Sequence, residues 1–174
     1  MIECLVIPFL KLLDKYELET VEVSDGSICL DSEKKCSYIS SLAKSFLVLS
    51  EVGSKDCNII YTPEKWVSMI NSELHAGSYK VIAEARESGN VGIYNSSGEA
   101  DTELINKIIS NVPSDSIIWE APNKSQQAWF INLLGSNVNL GNIACDEVIP
   151  LETLRLGLRS DTLLSFLPGH IRNN

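Results

Sequence analysis

This chain is short of histidine, has no paired cysteines and carries no block of basic residues. Each shortage removes a class of function. Its two histidines, His75 and His170, stand at no metal-ligand spacing from acids or cysteines, which argues against a histidine-built zinc centre. The five cysteines, Cys4, Cys29, Cys36, Cys57 and Cys145, form no CxxC pair and are odd in number, so reduced thiols in a cytoplasmic protein are expected. Lysine and arginine total 14 against 23 acids, a net charge of −9 that disfavours binding to nucleic-acid phosphates. Nor is there a basic cluster to suit an anionic membrane surface. No apolar run approaches the roughly 18–20 residues that cross a bilayer. The apolar run Cys4–Leu10 lacks the basic start and cleavage site of a signal peptide. Dinucleotide-binding, P-loop and serine-hydrolase signatures are also missing.

What is present is alternation. A length of 174 residues and 44% hydrophobic content suit one soluble domain with a sizeable core. Ile2, Leu5, Val6, Phe9, Leu12, Leu13 and Tyr16 recur at helical spacing, with Pro8 as a kink or a start. Short apolar runs follow at Thr20–Val23, Phe46–Leu49, Lys80–Ala83, Ile117–Trp119 and Val138–Leu140, and helical patterns separate them. Thr62-Pro63-Glu64 opens one helix and Gly77 closes it, and Ser125 is expected to cap another that stops at Gly135. The outcome is five βα units. Continuous apolar strands followed by helices call for a parallel sheet buried on both faces.

Polar residues follow each run at one topological position. They are Asp25, Glu51 with Lys55, Glu84 with Arg86, Glu120 with Lys124, and Asn142. In an α/β sheet, open or closed, these strand ends converge on one rim, where ligands bind. Carboxylates beside a few cations suit Mg²⁺ and an anionic substrate. Each residue also has a structural reading: Asp25 as a turn or cap, Glu51 as a cap or paired with Lys55, and Glu84, Arg86 and Glu87 in an ion-pair network. Asn137 and Asn139 suit turn or barrel-layer hydrogen bonding. Glu120 is the hardest to explain structurally, because an acid ending a buried strand is costly unless paired.

Six ordered segments carry a family resemblance: VSDGS (23–27), LSEVGSK (49–55), EARESG (84–89), WEAPNKSQQ (119–127), NVNLGNI (137–143) and LETLRLGLRSDT (151–162). Together they resemble the phosphosulfolactate synthase family, over about residues 10–163. The resemblance implies an α/β fold of the parallel (β/α)8 TIM-barrel type, with about five of the eight units in this chain. It implies a lyase that adds sulfite to phosphoenolpyruvate with Mg²⁺, giving (2R)-phospho-3-sulfolactate on the route to coenzyme M. The roles implied are Lys55 and Glu120 as catalytic residues and Arg86, Lys124, Asn139 and Asn142 as substrate contacts. Asp25, Glu51 and Glu84 are the implied metal ligands. Some relatives, including a heat-stress-associated plant protein, suggest the alternative of a non-catalytic chain acting through protein contacts.

The chain departs from the family pattern at several places. Asn90 follows the RESG segment where a basic residue or glycine is usual. The expected organisation is a partial barrel over residues 1–163, lacking the first three units, with 164–174 as a C-terminal tail. A barrel interior holds about twelve side chains in three layers, so three absent strands remove four or five of them, on the order of 10 kcal/mol. That rivals a typical domain stability of about 5–15 kcal/mol. The expectation is a marginal chain, a truncated product, or one completed by a partner, with exposed edges favouring a homo-oligomer.

Overall fold

The computed structural model describes residues 2–26, 28, 30–54, 59–86 and 88–167, with side chains from residue 8 onward. Five strands form one sheet in the order β1-β2-β3-β4-β5, every neighbouring pair parallel. The strands are β1 (Thr20–Val23), β2 (Leu47–Val52), β3 (Lys80–Ala83), β4 (Ile117–Glu120) and β5 (Leu140–Gly141). Helices α1 (Ile2–Lys15), α2 (Ser32–Leu42), α3 (Pro63–Ala76), α4 (Thr102–Ile109) and α5 (Lys124–Leu134) alternate with them, and α6 (Val148–Arg155) and α7 (Ser160–Phe166) follow. A doubly wound sheet reverses strand order at a switch point. Consecutive order without reversal is instead the arrangement of a (β/α) barrel, here with five strands.

Local chemistry sets the element ends. Asp31 accepts hydrogen bonds from the amides of Glu33 and Lys34 at the start of α2, and Asp101 accepts from Leu104 N–H at the start of α4. Thr62 caps α3 ahead of Pro63, and Gly77 ends it at a φ of 115°. The cap of α5 is Asn123 rather than Ser125, and the Gln126 side chain accepts from the Asn123 amide. Strand β2 runs on to Val52, three residues past the apolar run that marks it in sequence. Strand β5 lies two residues later than the run Val138–Leu140 suggests. Residues 160–166 form α7, so helix continues through position 163.

Strand alternation sorts the side chains. Val48, Val52, Val81, Ala83, Ile117 and Trp119 turn toward the helices and are buried. Trp119 stacks on Phe130 at a centroid distance of 5.0 Å, and Trp129 meets Phe130 edge-on. With Trp66, Ile70, Ile105, Ile108 and Ile131 they make the main core. A smaller cluster, Leu13, Val21, Ile39 and Val48, lies under α1 and α2. Among the described residues no helix is long and apolar enough to cross a membrane.

Candidate active site

The pairing register brings four glutamates to one face. Glu22 pairs with Leu49, two residues before Glu51 on the same face. Glu51 pairs with Ile82, two before Glu84, and Ile82 pairs with Ile118, two before Glu120. Because side chains alternate every residue, Glu22, Glu51, Glu84 and Glu120 share the face opposite the helices. They line an open cleft of about 550 Å³ at the carboxyl end of the strands, with Arg86, Ser88 and Asn142.

Three of these carboxylates gather tightly. Glu51, Glu84 and Glu120 each present an oxygen within 4.8 Å of the other two. Two full charges at that separation repel by about 3–4 kcal/mol at an effective dielectric near 20. Accordingly the Glu84 carboxyl is pushed up to about 7, first by burial and then by its hydrogen bond to Glu51 and the charge there. Donors fix each member: Ser24 Oγ donates to Glu51 Oε1 at 2.6 Å, Arg86 N–H to Glu84 Oε1 at 2.7 Å, and Ala85 N–H to Glu120 Oε2 at 2.8 Å. Tyr94 donates to the Glu120 carbonyl at 2.7 Å, and burial with the Glu120 charge holds its phenol far above its ordinary range.

The backbone around Glu84 leaves no room for side chains. A Cβ on Gly53, whose φ is 135°, would lie 2.5 Å from Glu84 Cβ, and one on Gly92 would lie 1.9 Å from the Glu84 carbonyl oxygen. Arg86 and Asn142 line the cleft with left-handed φ values of 58° and 56°. Strained non-glycine backbone at two strand ends is characteristic of functional sites.

The other expected site residues fall differently. Asp25 lies outside the carboxylate trio, because Lys35 from α2 reaches it at 2.8 Å and neutralises it. Lys124 does not line the cleft and pairs with Asp161 at the start of α7 at 2.7 Å. Asn139 shares the glutamate face but sits one layer toward the amino ends of the strands. Its amide donates to the carbonyls of Asp115 and Ile117 at 3.2 and 3.1 Å. Lys55 lies outside the described residues.

Sequence reasoning passed over Glu22, Ser88 and, above all, the buried hub at Lys35. That ammonium is bonded to Asp25, to Glu73 Oε1 at 2.8 Å and to the Glu51 carbonyl at 2.5 Å. Burial lowers its proton affinity, but Glu73 and Asp25 outweigh burial and hold it above its ordinary value. For Glu73 the burial wins over the attraction of Lys35, and its carboxyl is raised. The pair is therefore an ammonium held charged against a strongly desolvated acid.

The trio suits a small hard cation. Oxygen ligands alone, like charges close together and an open side match the preferences of Mg²⁺, which is held by one or two carboxylates plus water and substrate. A dication would also relieve the repulsion that raises Glu84.

Consecutive parallel βα units with acidic groups gathered at the carboxyl ends of the strands define a protein of the (β/α)-barrel type, with its polar site at the customary end. The chain belongs to the (2R)-phospho-3-sulfolactate synthase family, whose model matches residues 4–161. It is 47% identical over 147 residues to the phosphosulfolactate synthase of Bacillus subtilis, covering 83% of this chain and 58% of that protein. The Methanothermobacter thermautotrophicus phosphosulfolactate synthase is 46% identical over 83% of this chain and 58% of its own length. That of Methanocaldococcus jannaschii is 44% identical over 88% of this chain and 63% of its own length. The chain thus spans about three fifths of the length of these curated relatives.

Proposed function

We propose that this chain carries the site of a lyase that adds sulfite to phosphoenolpyruvate, giving (2R)-phospho-3-sulfolactate as in coenzyme M biosynthesis. The observation that carries the reading is the Glu51–Glu84–Glu120 trio at the strand ends of a chain of this family. Glu51, Glu84 and Glu120 would hold Mg²⁺, which when bound would supply positive charge for the substrate carboxylate. The sulfite sulfur forms a bond to the methylene carbon, and the π pair moves toward the adjacent carbon and carboxylate. A proton then goes to that adjacent carbon, and Lys55, three residues past the end of β2, is the proposed donor. Arg86 and the backbone around Asn142 are the proposed anion contacts, supported by their place in the cleft. Glu120 is the residue proposed to orient the reacting groups, since its carboxylate is anchored by Ala85 N–H.

A cytoplasmic setting and self-association belong to the same proposal. Cys36 and Cys145 are free thiols, as a reducing compartment maintains. Among the described residues, strands β1 and β5 each pair with a single neighbour. Apolar side chains stand exposed on α1 (Phe9, Leu12) and on α6 and after it (Ile149, Leu158), so copies of the chain are expected to associate there.

The test is phosphorus NMR of purified chain with sulfite, phosphoenolpyruvate and Mg²⁺, with Lys55→Ala as control. Conversion by the native chain and none by the variant supports the proposal. A folded chain that leaves phosphoenolpyruvate unchanged contradicts it.

A further inference from the structure

We infer that Lys35 is a positioning residue that sets the Glu51 carboxylate for the cation, an inference that rests on the proposed cation site. Backbone hydrogen bonds on β2 alternate between its two neighbours. Tyr79 N–H donates to the Val48 carbonyl and Glu84 N–H to the Val52 carbonyl, so these positions of β2 bond toward β3. Alternation then directs the Glu51 carbonyl toward β1. There β1 has already ended, at Val23 opposite Ser50, one residue short of Glu51.

Lys35 takes that place. Its Nζ donates to the Glu51 carbonyl at 2.5 Å and, with its two remaining protons, to Asp25 Oδ1 and Glu73 Oε1, both at 2.8 Å. An ammonium has three protons, and all three are used. The residue is 3% exposed, and its acceptors come from the loop after β1, the end of β2 and helix α3. Ser24, also past the end of β1, holds the other end of the same residue through Glu51 Oε1. Glu51 is therefore clamped at carbonyl and carboxylate from the β1 side, while its carboxylate meets Glu84 and Glu120. Asp25 and Glu73 supply the countercharge that lets an ammonium sit there, and Asp25 acts through Lys35 rather than as a ligand. Lys35 itself is spent on these contacts and is not the cation that meets substrate.

Outer partners of metal ligands typically change metal affinity about 10–100-fold when removed. The experiment follows Mn²⁺ binding by electron paramagnetic resonance, with melting temperature in parallel, for the native chain, Lys35→Met and Lys35→Met/Glu73→Gln. The double variant removes the buried charge left behind by the single one and so restores much of the stability without restoring the donor to Glu51. Affinity weakened about 10–100-fold in both variants, with melting temperature recovering only in the double, supports the positioning role. Native affinity in Lys35→Met, or recovery of affinity together with stability in the double, overturns it and leaves a purely structural ion triad. A native chain that binds no Mn²⁺ overturns the cation site itself, and the inference with it.

Discussion

Replacing Glu84 by glutamine should stabilise the metal-free chain, and the gain should depend on pH. The folded carboxyl sits near 7 against an ordinary 4.5, through burial first and then the neighbouring Glu51. Below about pH 4.5 both folded and unfolded chains hold the proton, and whatever Glu84 contributes is fully present. Between 4.5 and 7 the unfolded chain releases a proton that the folded chain keeps, so stability falls as pH rises. Above 7 the whole difference is lost, about 3 kcal/mol at 1.36 kcal/mol per pH unit. Glutamine has no proton to release. Its carbonyl can still accept from Arg86 N–H, and its amide can donate to Glu51 as the protonated acid does. Glu84→Gln should therefore match the native chain near pH 4.5 and exceed it by up to about 3 kcal/mol at pH 8, roughly 5–10 °C in melting temperature. The raised acid Glu73 is common to both proteins and cancels from the difference. Thermal melts across pH in chelator give the comparison, and adding Mg²⁺ should narrow the gap by stabilising the native chain alone. A difference that does not vary with pH, or a variant less stable at pH 8, refutes the reasoning.

Three further changes probe the frame around the site. Gly53→Ala places a Cβ 2.5 Å from Glu84 Cβ and 2.9 Å from Trp66 at a φ of 135°, and should cost about 2–4 kcal/mol in chemical denaturation while weakening Mn²⁺ binding. Asn139→Ala removes donors from the Asp115 and Ile117 carbonyls; a loss of about 1–3 kcal/mol in stability is expected with an unaltered KM, since the residue lies a layer below the rim. Lys124→Ala breaks a pair whose side chains are 43% and 37% exposed, so denaturation should leave the midpoint close to native, and turnover should change by no more than about twofold.

Much of this architecture is written locally. Thr62-Pro63 and Gly77 delimit α3 because capping and chain reversal depend on those residues themselves. Glu51, Glu84 and Glu120 were legible as site candidates because an acid that closes an apolar strand has few structural uses. What was not legible depends on partners distant in sequence. Asp25 reads as one more strand-end acid until Lys35 is brought to it from α2, and Glu33-Lys34-Lys35 looks like an ordinary solvated helix face. Lys124 sits beside Asn123 in sequence, yet its partner Asp161 is on α7. Register is the other gap. Placing β5 at Leu140–Gly141 rather than Val138–Leu140 puts Asn142 in the cleft and Asn139 beneath it, a distinction that a run of Asn and apolar residues does not encode.

Glu51, Glu84 and Glu120 are together the proposed holders of a divalent cation. Anomalous diffraction from crystals of the chain grown with Mn²⁺ tests this most directly. A peak within ligand distance of all three carboxylates, bonded directly or through water, is expected, together with its loss in Glu84→Gln. A peak elsewhere, or none at the trio under saturating Mn²⁺, would contradict it.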